Sequence, residues 1–600
     1  MERSAKVMGA VVSTILIVGV VIGVVAMVRH GNSDDKGGGQ GVGGGGGDSG
    51  SSTSTSTKTA NAICATTTHK EACTTSLESV ANNPNASIQD YLSAALNATM
   101  SELEKAIEVT SKVKVDKADD PHNDQMGMDD CKEFLDTAVE QLQASISSVG
   151  ESQLHTLEDR VQEFISWLTG VYIYQATCID QLEKPEYKTP VQDGMLNASQ
   201  LTENAIYIFS ELTNLTSSLN LNFSSIADAA TRSAATLSTS RRLLNNAERV
   251  GENGYPSWFT STDRKLLQDA KQDPGVEAVP IQPNAVVALD GSGQFNSIND
   301  AIGSIPPKNT ERFVIYVKAG IYNEVVLIKK IPNVFIFGDG QGKTIISGDL
   351  SVALKGVKTS NSATVAVDSD GFMIKSLTIR NTAGPDGHQA VALRIAGQNA
   401  VVFDCSIEGY QDTLYYHRGR QFYKNCVISG TVDFIFGNGR AIIQDSMIVV
   451  RKPNPNQSNM VTADGGLLPN GEHGLVLQNC RITAEPLLED AKAQHKSYLG
   501  RPWKAYAVTI YMQNDIGDFV APEGYSVFTN VGEGSLNQNT AIYGEYLNIG
   551  PGSISDRRDV NNFKNWHLLS PQEAEGYTVG AFIQGGSWLI NTGVPYNVGL

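Results

Sequence analysis

The chain has no run of lysine and arginine long enough to form a nucleic-acid patch, and its formal charge is -18 over 600 residues. Nucleic acid is therefore excluded as a partner, and any polyanionic substrate would need local basic groups. There is no G-x-S-x-G turn, which removes the serine-hydrolase elbow, and no H-E-x-x-H, which removes the zinc-protease helix. His388 and His417 stand near the segments discussed below, but no set of histidines has metal-ligand spacing. GDGQGKT, Gly338 to Thr344, falls short of a phosphate loop: three residues separate Gly338 from Gly342 where that loop needs four. Cysteine is scarce, seven in all, and secreted cysteines with nearby pairing candidates make poor nucleophiles. An odd count leaves at least one unpaired or bonded to another chain. What remains is carboxylate and amide chemistry on a chain that is 41% hydrophobic and too long for one domain.

The N-terminus supplies an address. Arg3 and Lys6 precede an unbroken apolar or small run from Val7 to Val28, and Arg29 and His30 follow it. A run of this length spans a bilayer as a helix. Within residues 1–30 it reads as a signal anchor, because no small-x-small exit is obvious, with a cleaved signal peptide as the alternative. Either form sends the rest of the chain into the secretory pathway, with membrane contact only through this anchor. N-x-S/T acceptors at Asn85, Asn97, Asn197, Asn214, Asn222 and Asn456 agree with that route, as does an oxidising compartment for the cysteines.

Residues 31–58 are Gly, Ser and Thr rich and read as a flexible tether. From 59 to 240 the pattern is helical. Ile88, Leu92, Ala95, Leu96, Met100, Leu103 and Ile107 recur at three- and four-residue steps, as do Phe134, Leu135, Ala138, Val139, Leu142 and Ile146. An antiparallel bundle is expected. Cys64 and Cys73 are close enough to staple a hairpin, but with Cys131 and Cys178 three pairings remain open. Residues 241–267 carry RRLL (Arg241 to Leu244) and RKLL (Arg264 to Leu267), a duplicate basic pattern that reads as sites for a processing protease.

From 268 to 600 short runs of Val, Ile, Phe and Tyr alternate with Gly, Asn and Asp turns. Gln389, Gln411 and Asp433 are spaced by 22 and 22 residues, and Cys405 and Cys426 by 21. That repeat fits one coil of a parallel β-helix, whose stacked strands lie roughly 4.8 Å apart. A sandwich or jelly roll gives no reason for constant spacing. The spacing predicts that Gln389, Gln411 and Asp433 rise as a ladder, with Asp412 beside Gln411. Two neighbouring carboxyl groups in a partly desolvated site separate into one protonated and one ionised member. Two glutamine amides can donate to an oxyanion, while Arg501 and Trp503 in YLGRPW add a cation and an aromatic platform. These parts suffice for acyl transfer without serine.

In the segments GIYNE (320–324), HQAVALR (388–394), GYQDTLY (409–415), GTVDFIFG (430–437) and LGRPW (499–503) the chain resembles a plant pectin methylesterase with an N-terminal inhibitor-like pro-region. The resemblance covers roughly residues 60–600. It implies a four-helix-bundle pro-region followed by a right-handed parallel β-helix, acting on methyl-esterified homogalacturonan in the cell wall. It implies Asp433 as nucleophile forming an acyl-enzyme, Asp412 as proton donor and acceptor, and Gln411 as oxyanion stabiliser assisted by Gln389. Arg501 would orient Asp433, Trp503 would pack against substrate, and Thr359 in KTSNSATV aligns with a substrate-contacting threonine. No metal or other cofactor is implied. The pro-region would cover the cleft until cleavage at RRLL or RKLL.

One departure stands out. The family usually has a cysteine at the position of Ser446, pairing with the one matching Cys426, so that bridge cannot form here, and a cost in stability is expected. A calcium-dependent pectate lyase or a polygalacturonase would need carboxylate sets that are missing. A non-catalytic wall-binding protein would be expected to lack Asp412 or Asp433, and both are present.

Overall fold

The structure, a computed structural model, describes residues 55–116, 120, 123–152, 157, 160–212, 282–528, 534–553, 558 and 563–600. Two compact units divide the chain: Met1–Lys114 with Cys131–Ser240, and Val115–Asp130 with Arg241–Leu600. The apolar run at 7–28, the tether up to residue 54, both basic-Leu-Leu motifs, Asn214 and Asn222 lie outside the described residues. Among the described residues no helix is long and apolar enough to cross a membrane.

Four long helices dominate the first unit: α1 (Ile88–Lys112), α2 (Asp124–Glu151, of which Cys131 onward belongs to this unit), α3 (Val161–Asp180) and α4 (Pro185–Ser210). A reciprocal cap starts α1. Ser87 Oγ accepts the Asp90 amide at 3.2 Å, and Asp90 Oδ2 accepts the Ser87 amide at 2.7 Å. The buried stripe of α1 follows Ile88, Leu92, Ala95, Leu96, Met100 and Leu103 as expected, then runs on through Ala106 and Thr110 instead of Ile107. A helix of 3.6 residues per turn drifts away from a strict repeat, so the last contact moves by one position. Disulfides join Cys64 to Cys73 and Cys131 to Cys178. The first closes the short hairpin, and the second ties α2 to α3.

The second unit is a right-handed parallel β-helix. Its strands pair in parallel in three sheets of 11, 7 and 8 strands. The seven-stranded sheet carries the site. In spatial order it contains β1 (Val326–Lys329), β2 (Val365–Asp368), β3 (Leu393–Ala396), β4 (Leu414–Arg418), β5 (Ile435–Gly437), β6 (Asn459–Asp464) and β7 (Ser497–Gly500). Alternation sends Leu393, Leu414, Tyr416, Ile435 and Val461 into one continuous core. The intervening residues face the other way. Because both faces of the coil are covered, the strands read as near-continuous apolar runs.

Each coil bends at a residue in the left-handed region: Asp404, Asn425, Asp445 and Asn479 have φ of 54°, 53°, 50° and 54°. Asn and Asp tolerate this geometry best among residues with a Cβ. The next residue of each coil forms a second stack, Cys405, Cys426, Ser446 and Cys480. The three cysteines are free and buried. Ser446 Oγ accepts the Cys426 amide at 3.0 Å and donates to the Gln444 carbonyl at 2.9 Å. Two coils further on, Asn514 Oδ1 accepts the Cys480 amide at 2.8 Å in the same manner. The serine thus makes two hydrogen bonds to backbone groups and leaves its own buried hydroxyl satisfied.

Candidate active site

The register of the central coils decides which side chains meet. Gln389 pairs with Gln411, 22 residues on, but Leu393 pairs with Leu414 and Leu414 with Ile435, 21 residues on. The difference is one extra residue in HQAVALR. The amides of Ala392 and Leu393 both point at the Thr413 carbonyl, at 2.8 and 3.2 Å, the mark of a bulge. Above the bulge the Asp412 amide donates to the Val432 carbonyl at 3.1 Å and the Leu414 amide to Phe434 at 2.8 Å. This registers Asp412 opposite Asp433. The ladder expected from equal spacing is therefore corrected: Gln389 stacks on Gln411, and the next rung joins the two aspartates directly.

Both aspartates sit just before the strands β4 and β5, in the left-handed region at φ 62° and 50°. Asp412 is 7% exposed and Asp433 8%. Their surroundings differ. Arg501, which follows β7, donates from Nε to Asp433 Oδ1 at 2.8 Å and from Nη2 to Oδ2 at 2.5 Å. This planar fork satisfies both oxygens of one carboxylate. The Phe528 ring lies 4.7 Å from the guanidinium. Burial and the neighbouring charge of Asp433 push the Asp412 carboxyl well above the usual carboxylate range, against the pull of Arg501. The site thus contains one clamped carboxylate beside one carboxyl group inclined to keep its proton.

Gln389 and Gln411 are half-buried at the edge of this pair. Thr359 opens a short turn, Thr359–Ser362, whose Ser362 Oγ accepts the Val391 amide at 3.0 Å, next to the Gln389 coil. Trp503 stands edge-on to Phe436 at 5.9 Å and to Tyr415 at 6.5 Å, while Tyr415 and Phe436 stack at 4.3 Å. With Ala363, Ala366, Val391 and Ala463 these rings form an apolar floor on the outer face of the sheet. Sequence reasoning singled out Trp503 and passed over Tyr415 and Phe436. The signal was present: each follows its aspartate by three residues, so the same register that joins the carboxyl groups stacks the rings. An aromatic floor with carboxyl, amide and guanidinium groups at its edge suits a sugar-ring polymer bearing an ester.

Residues 284–586 match the family model described as pectinesterase, and residues 58–208 match that of plant invertase/pectin methylesterase inhibitor. Pectinesterase 4 of Arabidopsis thaliana is 38% identical over 619 residues, covering 99% of this chain and 100% of that protein. A probable pectinesterase/pectinesterase inhibitor of Brassica napus is 39% identical over 622 residues, covering 99% of each. Among solved structures, pectin methylesterase from carrot superposes with a TM-score of 0.52 at 42% identity, covering 54% of this chain and 100% of that one.

Proposed function

The chain belongs to the pectinesterase family, and from that premise we propose that Asp433 and Asp412 divide the hydrolysis of pectin methyl esters between them. The protein is a carboxylic ester hydrolase that releases methanol from methyl-esterified homogalacturonan and leaves free carboxylates. In the first half-reaction an Asp433 oxygen attacks the C6 ester carbonyl. The oxyanion of the tetrahedral intermediate accepts hydrogen bonds from the Gln411 amide, assisted by Gln389. The C–O bond to methoxide breaks as Asp412 delivers its proton, so methanol departs and an anhydride to Asp433 remains. Asp412, now ionised, takes a proton from water, and the hydroxide attacks the anhydride carbonyl. Collapse frees the galacturonate carboxyl and restores Asp433. Arg501 orients the nucleophile, Trp503 packs against the polymer, and Thr359 contacts it from the neighbouring coil.

The observation that carries this reading is the unlike treatment of two carboxyl groups at one rung. Arg501 clamps Asp433, whereas burial and the neighbouring charge push Asp412 toward its protonated form. The helical unit is read as a pro-region that restrains the esterase until cleavage at Arg241–Leu244 or Arg264–Leu267, with the mature enzyme in the cell wall. The test is methanol release from highly esterified pectin by the chain made in a plant secretory host, beside Asp433→Asn, with N-terminal sequencing of the product. A loss of at least ~10³-fold in the folded variant is expected. Retained activity would remove Asp433 as nucleophile, and a fully active chain with an uncut N-terminus would remove the restraint.

A further inference from the structure

Below the turn that carries Arg501 lies a third buried carboxyl group. Asp464 ends β6 and is 1% exposed. Its Oδ1 accepts the Val508 amide at 2.8 Å and the Gly466 amide at 3.1 Å, and its Oδ2 meets the Tyr416 hydroxyl at 2.9 Å. Its own carbonyl accepts the Trp503 amide at 3.0 Å. One residue therefore holds the segment 501–508 at its middle and at its end. The other tethers run through its neighbours: the Thr462 carbonyl accepts the Arg501 amide at 3.0 Å, and the Gly466 carbonyl accepts the Tyr506 amide at 2.9 Å. Gly466 is itself fixed by Asp464 Oδ1.

We propose that Asp464 is a positioning residue for the esterase: through the Val508, Gly466 and Trp503 amides it sets where Arg501 and Trp503 stand relative to Asp433. The inference rests on the roles proposed above for those three residues. A carboxyl group is used where an apolar core residue would also fill the space, because two backbone amides and a hydroxyl converge there and would otherwise be buried without partners.

The position has a second consequence. Burial pushes this carboxyl up to about 7, against the hydrogen bonds from Val508, Tyr416 and Gly466. The titratable groups that face it are Tyr416 from β4 and Tyr543 from the strand Ile542–Tyr546. Tyr543 also feels Asp433 and Arg501, and its buried hydroxyl has no hydrogen-bond partner among the described residues. Tyr543 thus links Asp464 to the surroundings of the Asp433–Arg501 pair. Protonated, Asp464 holds the turn through Oδ1 and donates from Oδ2 to Tyr416. Ionised, it accepts from all three donors and adds a buried negative charge that faces Tyr543. Asparagine copies the protonated form, since its Oδ1 accepts both amides and its Nδ2 donates to Tyr416.

The experiment compares the chain from a plant secretory host with its Asp464→Asn and Asp464→Leu variants, for kcat and KM of methanol release across the range from pH 5 to 8 and for folding by circular dichroism. Asp464→Asn is expected to stay within ~3-fold of wild-type kcat in acid, where it mimics the native proton state. Asp464→Leu is expected to lose ~10–100-fold in kcat with a smaller change in KM, because the clamp on Asp433 shifts while the floor remains. The ratio of wild-type to Asn activity should fall as pH rises through about 7. A folded Leu variant with native kcat, an Asn variant as impaired as Leu, or superimposable wild-type and Asn pH profiles each overturn the inference. If the Leu variant fails to fold, the Asn pH comparison decides alone. Asp433→Asn in parallel separates the two readings: its activity surviving removes the nucleophile, whereas its loss beside native-like Asp464 variants removes only the positioning role.

Discussion

Replacing Asp412 by asparagine should cripple the enzyme and, above the acid range, stabilise it. The kinetic half follows from the leaving group. Methoxide departs poorly without a proton, and removing a placed general acid costs ~10²–10⁴-fold in kcat. The stability half follows from linkage. The folded state holds the Asp412 proton to higher pH than the unfolded chain does, because burial and Asp433 disfavour its charge. The stability of the protonated form is therefore fully present below the unfolded value of ~3.9 and is lost as pH rises through the folded value. Across that window wild type loses up to ~1.4 kcal/mol for each pH unit, and asparagine, which never ionises, loses none. The asparagine variant should therefore gain on wild type by on the order of 2 °C in Tm for each kcal/mol, with the gap widening from acid to neutral pH. Methanol release and scanning calorimetry on the same two proteins read both halves. A Tm difference that stays flat with pH would refute the claim that Asp412 is forced to keep its proton, whatever the activity did.

Two further outcomes follow from the same geometry. Gln411→Ala should lower kcat by ~10²–10³-fold with KM little changed, as for loss of a principal oxyanion donor, while Gln389→Ala should cost only about tenfold; steady-state kinetics with equal losses would overturn the ranking. The Cys405, Cys426 and Cys480 thiols are buried, and burial pushes the latter two up to about 12. A thiol reagent should therefore label none of the three free cysteines in the native chain and all of them after denaturation; rapid native labelling, or fewer than three after unfolding, would contradict the unbridged stack.

Much of the site was legible because its parts come in short blocks. GYQDTLY and GTVDFIFG place a carboxyl group amid strand formers, and HQAVALR and LGRPW name the amides and the arginine. Repeat length then brings the blocks together, since a coil of constant length returns the chain to the same face. The count misled by one residue because it treated every coil as equal. A bulge at Ala392 and Leu393 is a backbone event, invisible in spacing alone: it seats Gln389 on Gln411 at 22 residues, while the 21-residue register of the next coil seats Asp412 on Asp433. Asp464 escaped notice for a different reason. A single aspartate at a strand end reads as a turn residue, and only packing reveals that two amides and a tyrosine converge on it. At Ser446 packing likewise shows what the sequence did not: the hydroxyl bonds to the Cys426 amide on the neighbouring coil and to the Gln444 carbonyl.

By itself the sequence determined the class of each unit, because periods near 3.6 and 2 admit only helices or strands, and a recurring length near 21 residues admits a stacked coil. It also determined which chemical groups the chain could bring to a reaction. The tertiary structure alone decided the pairing of four cysteines, the rung on which two carboxyl groups meet, and the forked geometry by which Arg501 holds one of them. Those are questions of distance between residues far apart in sequence, and such distances are set by register and burial, which no local pattern encodes.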